Sequence, residues 1–336
     1  MPTEIDDDAT PYADLGPEIV LEAVEALGYV CDGRVLALNS YENRVYRVGL
    51  EEGAPLVAKF YRPGRWTDSA IREEHRFSAE LFDADLSVVA PMEIEDDTLH
   101  WFDGYRYTLF PTQGGHAPEL DNRETLRHLG QTLARMHTVG AQAPFAHRIT
   151  LSIDSHGYDP VDWLLDHRWL PPELEIPFER LTDAVFDHIE AAWARAGGFH
   201  TLRLHGDCHP GNILWRDGHA GHGQAHFVDL DDCLTGPAIQ DLWMLLSGSA
   251  ADQRRQFGWL LEGYRAFRDF DPRELHLVEA LRTMRLLHFN GWVAKRWDDP
   301  AFPRAFPWFE EPRHWESVIT QLQEQLAALQ EPMSLL

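Results

Sequence analysis

Apolar positions along the chain change period partway, and the change divides it. Val20, Ala23, Val24 and Leu27 recur at helical spacing in PEIVLEAVEALGY and Gly28 supplies a stop, which predicts a short helix. RVLALNS, NRVYRVGL and PLVAKFYR follow as β-branched and aromatic runs separated by polar or glycine-bearing turns, such as the one at Gly53. They predict three antiparallel strands. TDSAIREEHRFSAELFDADL opens on a capping Thr67 or Asp68 and carries Ile71, Phe77, Leu81 and Phe82 on one stripe, the mark of a helix. PMEIEDDTLHWFDGYRYTLFP then alternates around Asp103-Gly104, a hairpin turn pair, and ends in an apolar-aromatic run at Phe110. Residues 1–110 therefore predict an antiparallel sheet with one inner helix.

Beyond Pro111-Thr112-Gln113-Gly114-Gly115 the period becomes helical, with Leu126, Leu129, Leu133 and Met136 on one stripe. Residues 142–180 hold several prolines and no clean period, so a loop-rich insertion or short helices are expected, with a helix over 180–196. NILW and HFVDL predict short strands on either side of RDGHAGHGQA. Helices are predicted in AIQDLWMLLSG, RRQFGWLLEGYRAFRDF, PRELHLVEALRTMRLLHFNGWVAKRW and from Trp315 to Gln330. The boundary falls at 110–115, and 111–336 reads as a mainly helical domain. The prolines among Trp292, Trp297, Phe302, Phe306, Trp308 and Phe309 favour packing onto the core over an acceptor groove.

Composition narrows the function classes. With 29 basic and 55 acidic residues the 336-residue chain carries a formal charge of −26, which opposes binding to nucleic acid or anionic lipid. No apolar run reaches the roughly 18 residues of a membrane span, and the acidic start lacks a secretion signal. Cys31, Cys208 and Cys233 show no CxxC spacing, so a cytoplasmic protein is expected. Lys59 and Lys295 are the two lysines, against 29 − 2 = 27 arginines. A lysine that persists against that bias suggests a role for a compact ammonium.

The strongest local signal is LHGDCHPGNILW, where Asp207 precedes Asn212 by five residues, the spacing of the kinase loop H-R-D-x-x-x-x-N. There the aspartate accepts the proton of the attacking hydroxyl and the asparagine holds magnesium. In HFVDLDD Asp229 stands 17 residues after Asn212 at the end of an apolar run and can share the cation, since magnesium takes hard oxygens from one or two side chains and the rest from water and phosphate. Lys59 sits on a strand like the V-A-I-K strand, whose lysine contacts the nucleotide phosphates. Glu73 and Glu74 lie 14 and 15 residues on, and the inward stripe favours Glu74 as the holder of Lys59. No G-x-G-x-x-G precedes Lys59 and no D-F-G or A-P-E follows Asn212. ALNSYENRVYRV must cover the phosphates without glycines, through the Ser40 hydroxyl and backbone amides.

These residues resemble the aminoglycoside and choline phosphotransferase superfamily, which carries HGDxHxGN followed by a DxDD-like strand. ALNSYENRVYRV, VAKFYRPGRW, LRLHGDCHPGNILWRDG, FVDLDD, GPAIQDLWMLL and RWDDPAFPRAFPW are more closely similar to bacterial stress response kinases, and they span residues 36–310. The resemblance implies an α+β, bilobal protein-kinase-like fold, with an antiparallel-sheet N-terminal lobe and a mainly helical C-terminal lobe. It also implies ATP, Mg2+, phosphorylation of Ser or Thr on a protein substrate with autophosphorylation, and a monomer acting in stress. Asp207 and Asp229 would then be catalytic, with Asn212 and Asp229 the metal ligands. Ser40, Lys59, Glu74 and Phe110 would face the nucleotide, Phe110 at the adenine, and Asp241 would brace the catalytic loop. The segment 217–226 departs from the family turn, with His219, His222 and His226 besides His205 and His209; a solvated hairpin tip is expected there over a histidine metal site. Two other functions stay open: a kinase for an amino sugar, choline-like alcohol or other hydroxyl metabolite, and a nucleotide-binding scaffold without turnover, against which the intact residue set argues.

Overall fold

The computed structural model describes residues 11–218 and 223–331. In chain order the first elements are α1 (Pro17–Glu25), β1 (Cys31–Ala37), β2 (Arg44–Leu50), β3 (Leu56–Phe60), α2 (Asp68–Asp83), β4 (His100–Phe102) and β5 (Tyr105–Pro111). Then come α3 (Arg123–Gly140), α4 (Asp159–Asp166), α5 (Pro172–Ala196), β6 (Thr201–Leu204), β7 (Ile213–Arg216), β8 (Gln224–Phe227) and β9 (Leu234–Pro237). The helices α6 (Ile239–Trp243), α7 (Ala250–Tyr264), α8 (Val278–Ala294), α9 (Ala301–Ala305) and α10 (Pro312–Gln330) complete the described chain. Among the described residues no helix is long and apolar enough to cross a membrane.

The chain forms two compact units. One takes the described residues up to His116 together with those of Leu214–Asp231 and Asp298–Ala301; the other takes the rest. The first unit thus includes two segments that the sequence reading assigned to 111–336. Backbone pairing explains the first of them: His116 exchanges hydrogen bonds with Trp215 at 3.0 and 2.7 Å, and Phe227 bonds to Ser87 and Val89.

In the first unit an antiparallel sheet runs β1-β2-β3-β5-β4. Its hairpin between Phe102 and Tyr105 turns on Asp103 and Gly104, whose φ of 47° and 81° are the left-handed pair that matches strand twist. One sheet face presents Ala58, Phe60, Tyr107 and Leu109 to Val20, Ala23 and Val24 of α1. Each fully buried valine or larger side chain there contributes about 1.5–3 kcal/mol. Thr67 caps α2 by accepting from the Ala70 N–H at 3.2 Å. Phe82, expected on the inward stripe, is 61% exposed. Leu81 occupies the inward position, and the next residue is turned about 100° away.

In the second unit α3 and α7 cross closely, because Gly130 and Gly263 let backbone meet backbone. A Cβ on Gly130 would lie 2.0 Å from the Leu260 carbonyl oxygen, and one on Gly263 1.9 Å from that of Arg127. α5 starts at Pro172, eight residues before its expected start at 180. Pro172 stands at the first helical position, where no N–H is needed, and Pro177 forfeits one bond to the Glu173 carbonyl. Prolines that suggested breaks are therefore carried in a helix start. β6 and β9, absent from the sequence reading, pair antiparallel from Thr201–Pro237 to Leu204–Leu234. Phe302 and Phe309 are fully buried, with ring centroids 4.9 Å from Trp292 and 5.3 Å from Trp297 respectively; Trp292, Trp297 and Phe306 are half-buried and Trp308 is exposed, so two of the six pack the core outright.

Replacing Gly130 by Ala should push α3 off α7 and lower unfolding stability by about 1–3 kcal/mol, seen as a lower denaturation midpoint with unchanged slope.

Candidate active site

Lys59 lies in β3 opposite Val45 of β2 and Thr108 of β5, on the sheet face away from Phe60. Its ammonium is buried and meets three carboxylates: Asp229 Oδ1 at 3.1 Å, Asp231 Oδ1 at 3.2 Å and Glu74 Oε1 at 3.5 Å. Of the two glutamates offered by the sequence, Glu74 is the one at this distance. Burial alone would lower the Lys59 pKa, but Asp231, Glu74 and Asp229 outweigh it and hold the group well above the ordinary lysine value. The Tyr61 ring lies 5.0 Å from the ammonium. Arg65 grips the other oxygen of Asp231. Asp231 and Arg65 were not singled out from sequence; the signal lay in the second acid of FVDLDD and in YRPGRW, next to Lys59.

Asp229 follows β8 with φ 59°, a left-handed conformation rare for a residue with a side chain and of the kind found at functional sites. Its side chain is 51% exposed. Ser40 lies between β1 and β2, and its hydroxyl donates to the Asn43 carbonyl at 3.1 Å while Asn43 Oδ1 accepts the Arg62 N–H. Phe110 is half-buried on β5 opposite Val57.

The loop after β6 carries the second group of residues. Gly206 has φ 85°, and a Cβ on it would lie 2.2 Å from the Asp232 carbonyl oxygen, so only glycine fits. The wholly buried Asp241 of α6 accepts the Gly206 N–H on Oδ1 at 2.9 Å and the His205 N–H on Oδ2 at 3.0 Å. His137 Nε2 lies 3.1 Å from the same Oδ2, and its Nδ1 2.8 Å from the Tyr264 hydroxyl. His137 and Tyr264 thus complete a buried relay behind the loop. Neither stands out in sequence, being 70 and 57 residues from Asp207.

Asp207 follows at once. Its Oδ1 accepts from Arg285 of α8 at 2.5 Å and its Oδ2 lies 3.4 Å from His209 Nε2. His209 Nδ1 accepts the Gly211 N–H at 3.0 Å, which assigns the ring proton to Nε2 and aims it at Asp207. Burial alone would raise the Asp207 pKa; the hydrogen bond from His209 and the charge of Arg285 outweigh it and hold the carboxyl well below the usual range. Asn212 Nδ2 donates to the Asp207 carbonyl at 3.0 Å, so the carboxamide oxygen points to the other side of that bond. Among the described residues no group of three His, Cys, Asp or Glu is arranged to hold a metal. His219 and His222 lie outside the described residues.

A profile of the phosphotransferase enzyme family matches residues 34–278. Serine/threonine protein kinase RdoA of Salmonella typhimurium is 41% identical over 328 residues, covering 98% of each chain. Stress response kinase A of Escherichia coli is 41% identical over 324 residues and 96% of each. The chain belongs to the phosphotransferase enzyme family, in the stress response kinase A group. Its fold matches amicoumacin kinase, TM-score 0.71 with 16% identity over 95% of this chain and 96% of that one. A microcompartment-associated aminopropanol kinase matches at TM-score 0.70 and 17% identity, over 96% and 100%. The α+β, kinase-like fold expected from the resemblance is the fold of this family, and phosphotransfer is its activity.

α6 has its own support. The buried Glu274 accepts the Ile239 N–H at 2.8 Å, at the start of the helix that carries Asp241. Burial raises the Glu274 pKa to about 7 from 4.5. The native state therefore holds a proton between those values that the unfolded chain releases, so stability falls as pH rises from 4.5 to 7. Each pH unit of that gap is worth about 1.4 kcal/mol, or about 3 kcal/mol in all. In Glu274→Gln, denaturant unfolding at pH 5 and pH 7.5 should lose most of this difference.

Proposed function

We propose that this phosphotransferase moves the γ-phosphoryl group of ATP to serine or threonine hydroxyls of a protein, itself included, as a cytoplasmic monomer in a stress response. One observation carries the reading: Asp207, His209 and Asn212 lie together on a loop braced by Asp241, in a chain 41% identical, almost end to end, to a relative named as a serine/threonine protein kinase.

In this reading Asp207 orients the acceptor hydroxyl and receives its proton as the new O–P bond forms and the bond to ADP breaks. Low basicity suits that role, because a loose transition state asks for little proton removal before the phosphoryl group has left ADP. Lys59 binds phosphate oxygens of ATP and Glu74 keeps the ammonium from drifting. Ser40 and the backbone beside it cover the phosphates, and Phe110 flanks the adenine. Asn212 and Asp229 are the proposed magnesium ligands: both offer hard oxygens, and the Asn212 amide is fixed through its NH2 group, which leaves its oxygen to the ion. Bound magnesium would neutralise charge on the phosphates. Amicoumacin kinase was solved with AMP-PNP and Ca2+, which supports a nucleotide and a divalent cation.

A second reading, a kinase for a small hydroxyl compound, draws on the aminopropanol and amicoumacin kinases that share the fold and on a net charge of −26 that attracts cations. Purified protein with Mg2+ and γ-labelled ATP should label its own Ser or Thr residues and proteins of a cell extract, and Asp207→Asn should lower this by about 10²–10⁴. ADP release stimulated by amino alcohols or aminoglycosides, with no protein labelled, would establish the second reading.

A further inference from the structure

Arg285 lies against the carboxylate that, in the function proposed above, faces the acceptor. Its Nη1 lies 2.5 Å from Asp207 Oδ1, and its side chain is 44% exposed against 24% for the aspartate. Among the described residues Asp207 is the carboxylate with which Arg285 forms an ion pair. Other arginines of α7 and α8 are neutralised within their own helices: Arg282 is paired with Glu279 at 2.7 Å and Arg255 with Asp252 at 2.8 Å. A guanidinium is a planar fork of five N–H donors. One contact to Oδ1 therefore leaves other donors on a side chain that is nearly half exposed beside Asp207.

We propose that Arg285 sets acceptor specificity, selecting a hydroxyl that has a carboxylate or phosphate beside it, such as a serine or threonine with an acidic neighbour, and disfavouring amino-alcohol acceptors. The inference rests on reading Asp207 as the group that faces the acceptor. An anionic neighbour takes the outward N–H groups of Arg285 as a two-pronged contact, while an ammonium at the same place meets a fixed like charge. The net negative charge of the whole chain pulls the other way, but it is spread over the surface and screened beyond about 8 Å at physiological salt. At contact distance the guanidinium decides.

The test compares kcat/KM for serine peptides that differ only in having Asp, Ala or Lys beside the acceptor, and for glycerate against 1-amino-2-propanol, in wild type, Arg285→Ala, Arg285→Gln and Arg285→Lys. The wild type should favour the acidic over the basic member by about tenfold or more. Arg285→Ala and Arg285→Gln should bring that ratio close to one, through KM of the acidic acceptor, and Arg285→Lys should restore part of it. A ratio unchanged in Arg285→Ala and Arg285→Gln overturns the proposal, whether or not kcat falls for every acceptor through the altered carboxyl of Asp207. If wild type phosphorylates none of the peptides, the protein-kinase reading fails, and the glycerate to amino-alcohol ratio then decides the Arg285 assignment by itself. Transfer that persists in Asp207→Asn removes the premise and the assignment with it.

Discussion

A charge taken out of water has to meet opposite charge or oriented donors at close range, and the surroundings of Asp241 in one unit and of Lys59 in the other are each organised by that requirement. Asp241 is the plainer case. Its two oxygens are used by two successive backbone N–H groups and by His137, so a fully buried carboxylate is stable only while the loop at His205 and Gly206 keeps its conformation. The loop and the carboxylate fix each other. Asp207, the next residue, inherits its position from that bond pair without having to contribute to it, and its side chain is left to other work.

Lys59 poses the opposite problem. One ammonium faces Asp229, Asp231 and Glu74, and three carboxylates against one cation leave negative charge in excess. Arg65 offsets part of it at Asp231. The network extends further in the same unit: Asp299 is buried and accepts from Arg44 at 2.9 Å and Arg62 at 2.8 Å, while Arg62 and Arg65 both lie 3.7 Å from Glu42. These arginines come from Arg44 at the start of β2 and from the turn after β3, so the segment Asp298–Ala301, more than 230 residues away in sequence, is held to the sheet by charge. The exposed member of the acid cluster is Asp229, which is also the one in a left-handed backbone conformation. Its neighbours Asp231 and Glu74 are buried against the lysine, so Asp229 alone of the three has one side toward solvent.

Residues whose role follows from local pattern were readable from the chain. The hairpin at Asp103-Gly104 needed φ above zero at both positions, and the residues say so. Lys59 and Glu74 could be matched because strand and helix periods assign each a face before any contact is known. The spacing from Asp207 to Asn212 is carried by a single loop. What sequence did not disclose depends on chain crossings: β6 and β9 are four residues each, too short for a period to show, and their pairing is non-local. α5 was cut short because proline was read as a breaker, although the first turn of a helix has no use for the N–H that proline lacks. Phe82 lies about 100° round α2 from Leu81, past the edge of the buried face, although the adjacent Glu73, Glu74 and His75 earlier in the helix are all buried.

Arg285 belongs to the same class of residues that pattern hides. It is 78 positions from Asp207, on a helix with one other arginine, and nothing in the composition of α8 distinguishes it from Arg282. The difference is geometric: Arg282 finds Glu279 one turn back on its own helix, whereas the partner of Arg285 is Asp207, on the loop after β6. Acceptor preference can be set by elements that touch the loop without belonging to it. α8 is such an element. On the proposed reading a guanidinium on it changes the charge met by the acceptor and the basicity of Asp207 together, while the Asp241 bonds to the backbone of His205 and Gly206 stay as they are.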